Sequence, residues 1–123
     1  MEPLQQGRIV WVEIPDPNGR NPKLRPAVIL SRMESLSAGE PFVAVAVTST
    51  LPDPLTPFMV KLPWYPKGHP QTRLNRRCAA VCNWLLEITA EQVRDTAGLV
   101  PDRQLQEILQ LCDLTPPAPE PEN

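Results

Sequence analysis

The sequence predicts a mostly β domain that ends in a helix, and three observations predict it. Residues 8–14, 26–31 and 42–47 are short runs with strand character, separated by stretches rich in turn-forming residues. Six prolines between Pro52 and Pro70 leave room for one further short strand. Only near the carboxyl end does the apolar spacing lengthen to the three and four of a helix.

In Arg8 to Ile14 (RIVWVEI), Val10, Val12 and Ile14 fall on one face and Ile9, Trp11 and Glu13 on the other, the period of a half-buried strand. PDPNGRNPK then reads as a loop. Pro26 to Ser31 (PAVILS) is a short buried strand, MESLSAGEP a polar connection, and Phe42 to Val47 (FVAVAV) a third strand ending at Thr48, Ser49 and Thr50. Phe58 to Leu62 (FMVKL) is the strand among the prolines, and Trp64 to Asn75 (WYPKGHPQTRLN) a long basic loop of the kind that more often carries function than structure. Cys78 to Ile88 (CAAVCNWLLEI) resumes strand character, with a bend expected near Asn83.

Thr89 to Gln92 (TAEQ) matches a capping box, and with Gly98 beyond it predicts a short helix over Ala90 to Ala97. Asp102 is placed to cap a second helix, in which Leu105, Ile108, Leu109 and Cys112 recur at helical spacing and face the core. Strands followed by a terminal helix argue against a doubly wound sheet, and about five short strands with large Pro-rich loops fit a small SH3-like antiparallel β-barrel. One domain, residues 1–114, is expected, followed by a Pro-rich disordered tail, residues 115–123 (TPPAPEPEN).

A net charge of −2 hides an asymmetry. Residues 17–33 and 54–86 contain no acidic residue, yet hold nine of the twelve lysines and arginines. Residues 1–86 carry ten basic against six acidic side chains, and residues 87–123 two against eight. If the two acid-free stretches converge, the surface they form is an anion site. Cys78, Cys82 and Cys112 fit no disulfide framework and read as reduced, buried thiols. A Cys-x3-Cys pair in an extended segment holds its sulfurs too far apart for one tetrahedral ion, so neither metal nor cofactor is expected. No apolar run approaches the ~20 residues that span a bilayer, and MEPLQQGRIVWVEI lacks the flanks of a signal peptide, so a cytoplasmic protein is expected.

GRIVWVEI followed by Asp16-Pro17 and a Gly-containing loop, then RPAVILS from Arg25, then VAVTS ending at Ser49, resembles in order and spacing the MazF/PemK (Kid) family of toxin ribonucleases from type II toxin-antitoxin systems. The likeness spans roughly residues 7–111, with CNWLLEIT a looser match to the family's Cys-Asp-Gln segment. The resemblance implies a MazF/PemK/CcdB-like barrel and an endoribonuclease that cuts single-stranded RNA without a metal, leaving a 2′,3′-cyclic phosphate. It also implies a homodimer and a cognate antitoxin with an acidic segment. The family's functional arginine and threonine carry over to Arg25 and Thr48. Arg25, just before a proline, suits a bidentate phosphate contact, and the Thr48 hydroxyl can donate to a phosphoryl oxygen. Read from the residues alone, Arg25 has Asp16 or Glu13 as rival partners, and Thr48 is an ordinary strand-end hydroxyl.

Two departures from the pattern stand out. The family's Arg-Cys-Asp run is here Val81-Cys82-Asn83, and its loop histidine aligns near Arg20. Expected substrate-binding residues are Arg20, Lys23, Ser49, His69, Arg73, Arg76, Arg77 and Asn83; Trp64, Tyr65 and Trp84 are aromatics able to stack on bases, although Trp84, on an apolar strand, reads first as core. The rival reading is a non-catalytic binding module on the same barrel, either a degenerate toxin or a gyrase-binding protein of the CcdB type; Val81 and Asn83 favour it, whereas Arg25, Thr48 and the basic stretches favour the nuclease.

Overall fold

The computed structural model describes residues 2–16 and 18–112, so the expected tail at 115–123 lies outside the described residues. Among the described residues six strands are present: β1 (Arg8–Ile14), β2 (Lys23–Ile29), β3 (Phe42–Thr48), β4 (Met59–Lys61), β5 (Ala79–Ile88) and β6 (Val93–Leu99), followed by helix α1 (Asp102–Leu111). They form one antiparallel sheet in the order β4-β5-β3-β2-β1-β6.

The expected class, mostly antiparallel β with a carboxyl-terminal helix, is what the chain adopts. The barrel is not closed by strand pairing, because β4 and β6 are the two ends of the sheet. The loop between β4 and β5 spans the gap instead: Gly98 N–H donates to Thr72 O at 3.0 Å, and Leu99 N–H to Gln71 O at 2.9 Å. Thr72, wholly buried, fastens the same turn by donating its hydroxyl to Pro63 O at 2.8 Å.

β1 feeds two cores at its start, where Ile9 and Val10 are both buried, while farther along the Ile9 face opens at the half-buried Trp11 and the exposed Glu13. Ile9 joins Val28, Val45, Val47, Ala80 and Cys82 beneath Leu105, Ile108 and Leu109 of α1. Val10, Val12 and Ile14 join Ala27, Ile29, Phe42, Ala44, Ile88 and Val93 on the opposite side, edged by Leu4, Met33, Leu36 and Trp84. Fully burying an aliphatic side chain such as Ile108 is worth about 1.5–3 kcal/mol, which explains why a ten-residue helix stays docked. All three thiols are free and buried. Cys82 and Cys112 meet at the seam between β5 and α1, where Cys112 Sγ lies 3.4 Å from Cys82 O.

The region before residue 102 departs most from expectation. The capping box forms, with Thr89 N–H donating to Gln92 Oε1 at 2.8 Å, but it closes a single 3-10 turn, Ala90–Gln92. The predicted helix over Ala90 to Ala97 is instead strand β6. Local propensity loses to the open edge of β1, which pairs with β6 and buries Val93 and Ala97. Asp102 is the first helical residue and not the cap, a position held by Pro101 with no side-chain bond; its carboxylate faces the positive end of the helix. β2 begins three residues ahead of Pro26, and β4 is shorter than Phe58 to Leu62. The bend near Asn83 is present: β5 pairs with β3 at Ala80 and again at Leu85, five β5 positions apart against two on β3.

Gly98 lies so close to the bridging turn that a Cβ there would land on the Gln71 carbonyl. Gly98→Ala should therefore destabilise the protein by about 3 kcal/mol, the usual scale for overpacking against backbone that cannot yield. Urea unfolding followed by circular dichroism measures it, and a loss below ~1 kcal/mol would mean the turn moves freely.

Candidate functional site

The site lies where β2 and β3 part. Their pairing runs through Ile29, Val28 and Ala27 and then stops, because Pro26 has no N–H to continue the ladder. Beyond it Lys23–Pro26 is held only by β1, and Val47 and Thr48 only by β5. The parted ends open a cleft of about 450 Å³ lined by Lys23, Arg25, Thr48, Ser49, Arg73 and Arg76, with Trp11 and Cys78 among its walls. Two acid-free stretches far apart in sequence thus converge, and among the described residues no carboxylate lines the cleft.

Arg25 is held on three sides. Its Nε donates to Ile14 O at 3.0 Å, its Nη2 to Asn21 O at 3.3 Å, and its Cζ lies 5.4 Å from the centre of the Trp84 ring. Nη1 has no hydrogen-bond partner among the described residues, which leaves donors of a pre-oriented guanidinium for an anion. Glu13 pairs with Leu24 across the strands and so faces away from Arg25; the ion pairs found among the described residues are those of Glu2 with Arg8 and Arg73.

Asp16 builds the loop that presents Asn21. Its Oδ1 accepts from the N–H groups of Asn18 and Arg20 at 3.0 and 2.9 Å, and its Oδ2 from the Asn21 amide at 3.1 Å. Asn21 takes a left-handed conformation, φ 52°, that short polar side chains tolerate. The Arg20 N–H above all, then the Asn21 amide and the Asn18 N–H, hold the Asp16 carboxyl below its ordinary value.

The Thr48 hydroxyl accepts the Thr50 N–H at 3.1 Å, so its own hydrogen is available to a ligand. Arg73, at φ 64°, reaches the cleft rim from the bridging loop while pairing with Glu2 at 2.6 Å. Burial pushes the Cys78 thiol up to about 11, so it stands in the cleft wall as a neutral, unreactive group near neutral pH. Among the described residues no three His, Cys, Asp or Glu side chains gather around one point.

Four of the expected residues lie elsewhere. Arg20 is exposed in the β1–β2 loop, outside the cleft lining. His69 organises the bridging loop: its Nδ1 accepts the Gln71 and Thr72 N–H groups at 3.1 and 3.2 Å, and its ring lies 4.8 Å from that of Tyr65. Arg77 lines a separate hollow with Lys61 and Trp64. Asn83 lines another with Asp16, Val81 and Trp84, linked to the cleft through the Arg25–Trp84 contact. Sequence reasoning missed Trp84 as the platform under Arg25, the carbonyls of Ile14 and Asn21, and Glu2. Backbone acceptors carry no side-chain signature, and a tryptophan on a strand is read first as core.

The sequence profile of the PemK-like, MazF-like toxins of type II toxin-antitoxin systems matches residues 5–114. The chain belongs to the MazF/PemK toxin family. No curated protein matches the sequence. Among solved structures it is similar to MazF from Deinococcus radiodurans, with TM-score 0.72 at 20% identity over 93% of this chain and 96% of that one. A MazE-MazF structure from the same organism matches with TM-score 0.67 at 20% identity, covering 90% and 94% of the two chains. At such identity the likeness is one of MazF fold, and the site stands on the geometry above. No helix is long and apolar enough to cross a membrane among the described residues.

Because the Asp16 carboxyl is held below its ordinary value of 3.8, the loop bonds are complete above about pH 4 and are lost as pH falls through the lowered value. The amide resonances of Asn18 and Arg20 should titrate together with a midpoint below 3.8, and should not titrate in Asp16→Asn.

Proposed function

We propose that this MazF/PemK toxin is an endoribonuclease that cuts single-stranded RNA through attack of a ribose 2′-hydroxyl on the adjacent phosphate. The observation that carries this reading is Arg25, clamped by Ile14 O, Asn21 O and the Trp84 ring with free donors, in a cleft it shares with Thr48. The 2′-oxygen forms a bond to phosphorus, the bond to the 5′-oxygen breaks, and the products are a 2′,3′-cyclic phosphate and a free 5′-hydroxyl. Charge builds on the non-bridging oxygens, where Arg25 and the Thr48 hydroxyl donate; fixed donors aimed at developing charge supply the largest share of such rate enhancement.

Among the described residues no histidine or carboxylate lines the cleft, so in this reading a water accepts the 2′-proton and another proton from solvent reaches the leaving oxygen. Lys23, Arg73 and Arg76 hold the flanking phosphates and, with Arg25, neutralise charge without an ion. Ser49 and Asn83 are assigned to the bound strand, Asn83 through the hollow beside Trp84. The similarity to MazE-MazF structures supports an antitoxin as partner, its acidic segment competing for the same cations. Family membership supports a homodimer.

Arg25→Ala should lower cleavage of a defined single-stranded RNA by a hundredfold or more, about 3 kcal/mol, with unchanged circular dichroism. Purified protein in excess chelator should still yield cyclic-phosphate ends; activity lost in chelator and restored by magnesium would overturn the mechanism. The geometry also separates two neighbouring arginines. Arg76→Ala should reduce the slope of log K against log salt by about 0.7, the value for one phosphate contact on a single strand, whereas Arg77→Ala leaves it unchanged. Equal effects from both would place the RNA path across the Arg77 hollow instead.

A further inference from the structure

Glu2, outside the cleft lining, shares its carboxylate between two guanidiniums, one of them that of Arg73 in the cleft. Its Oε1 accepts from Arg8 Nη1 at 3.1 Å, and its Oε2 meets Arg73 Nη2 at 2.6 Å. The segment carrying it is fastened to the sheet: Glu2 N–H donates to Thr96 Oγ1 at 3.2 Å, and Arg8, 7% exposed, donates to Pro3 O and Ala97 O. Arg8 therefore cannot follow a ligand into the cleft. Arg73 can, since its side chain is half exposed and its backbone is fixed separately by a bond from its N–H to His69 O.

We propose that Arg73 forms a phosphate subsite whose resident occupant is the Glu2 carboxylate, and that a bound nucleic-acid phosphate displaces it. A carboxylate and a phosphate use the same fork of guanidinium donors, so the two compete for Arg73. The Arg73 guanidinium also holds the Glu2 carboxyl below the usual carboxylate range. Glu2 thereby sets the affinity of the cleft: it removes one of the four cations that line it until a polyanion supplies a better partner. An exposed pair of this kind is weak, which suits an exchange that must be reversible. The proposal rests on the cleft being the RNA site.

The test uses a 2′-O-methyl single-stranded RNA, which binds but cannot be cut, titrated by fluorescence anisotropy across salt concentrations. Glu2→Gln keeps an acceptor for Arg8 and removes the charge. It should tighten binding about two- to fivefold and steepen the salt slope by roughly 0.7. Arg73→Gln should weaken binding, and adding Glu2→Gln to it should then change nothing. Should Glu2→Gln fail to fold, Glu2→Asp, too short to span both arginines, is expected to tighten binding likewise. Unchanged or weaker binding by the folded Glu2 variants, or an equal Glu2 effect with and without Arg73, overturns the exchange while leaving the RNA reading intact. If the wild-type protein binds no RNA, that reading fails, and the same four proteins titrated with inorganic polyphosphate decide the exchange: coupling between Glu2 and Arg73 sustains it, and its absence overturns it.

Discussion

Pro26 has no N–H, and much of the molecule is arranged around that missing donor. Where β2 would otherwise continue its ladder with β3, the two strands separate. Continuing the register from Ala27 opposite Ala46 would bring Arg25 opposite Thr48, so parting the strands leaves these two side chains facing each other across open space. Ile14 O at the end of β1 and Asn21 O in the β1–β2 loop then accept the Arg25 guanidinium from the other side. One imino acid thus makes a concavity, and the neighbouring carbonyls orient the cation within it.

The second requirement is that a six-stranded sheet with two unpaired ends be held in a curved form. Here it falls on the turn at Gln71 and Thr72, which bonds to β6 while its loop begins at β4 and returns to β5. The same loop delivers Arg73 and Arg76 to the cleft, so the segment that secures the architecture also brings half of the cleft's cations. His69 illustrates the division of labour. By accepting two backbone N–H groups it shapes the turn and is withdrawn from the chemistry that its residue type suggests.

The sequence made the strand runs at 8–14 and 42–47, the amphipathic helix and the convergence of two basic stretches legible, because each is written in side-chain periodicity or charge. β6 was not legible. TAEQ is a genuine helix-start signal whose turn forms, and only the presence of β1's open edge, a tertiary fact, diverts the chain into a strand. At the candidate site, Arg25, Thr48 and Ser49 were visible by resemblance, and Lys23, Arg73 and Arg76 by the run of charge. The separation of Arg76 from Arg77 was not, since adjacent residues of one loop point to different hollows only when the fold is known. Glu2 was invisible for a similar reason, its partners standing six and seventy-one positions away.

The bridging loop has a bearing on how this chain can diverge. It is the longest stretch without regular structure, and length alone suggests that it tolerates insertion. Yet it is pinned within itself, with Tyr65 and His69 N–H both bonded to Leu74 O, and pinned to β6 at Gln71 and Thr72 against a glycine that admits no side chain. Added residues there would break several backbone bonds at once, whereas the exposed run from Pro52 to Pro54 has no hydrogen bond of that kind to the described residues. A change of chain length therefore costs least in the shorter connection, and the longest loop acts as part of the scaffold.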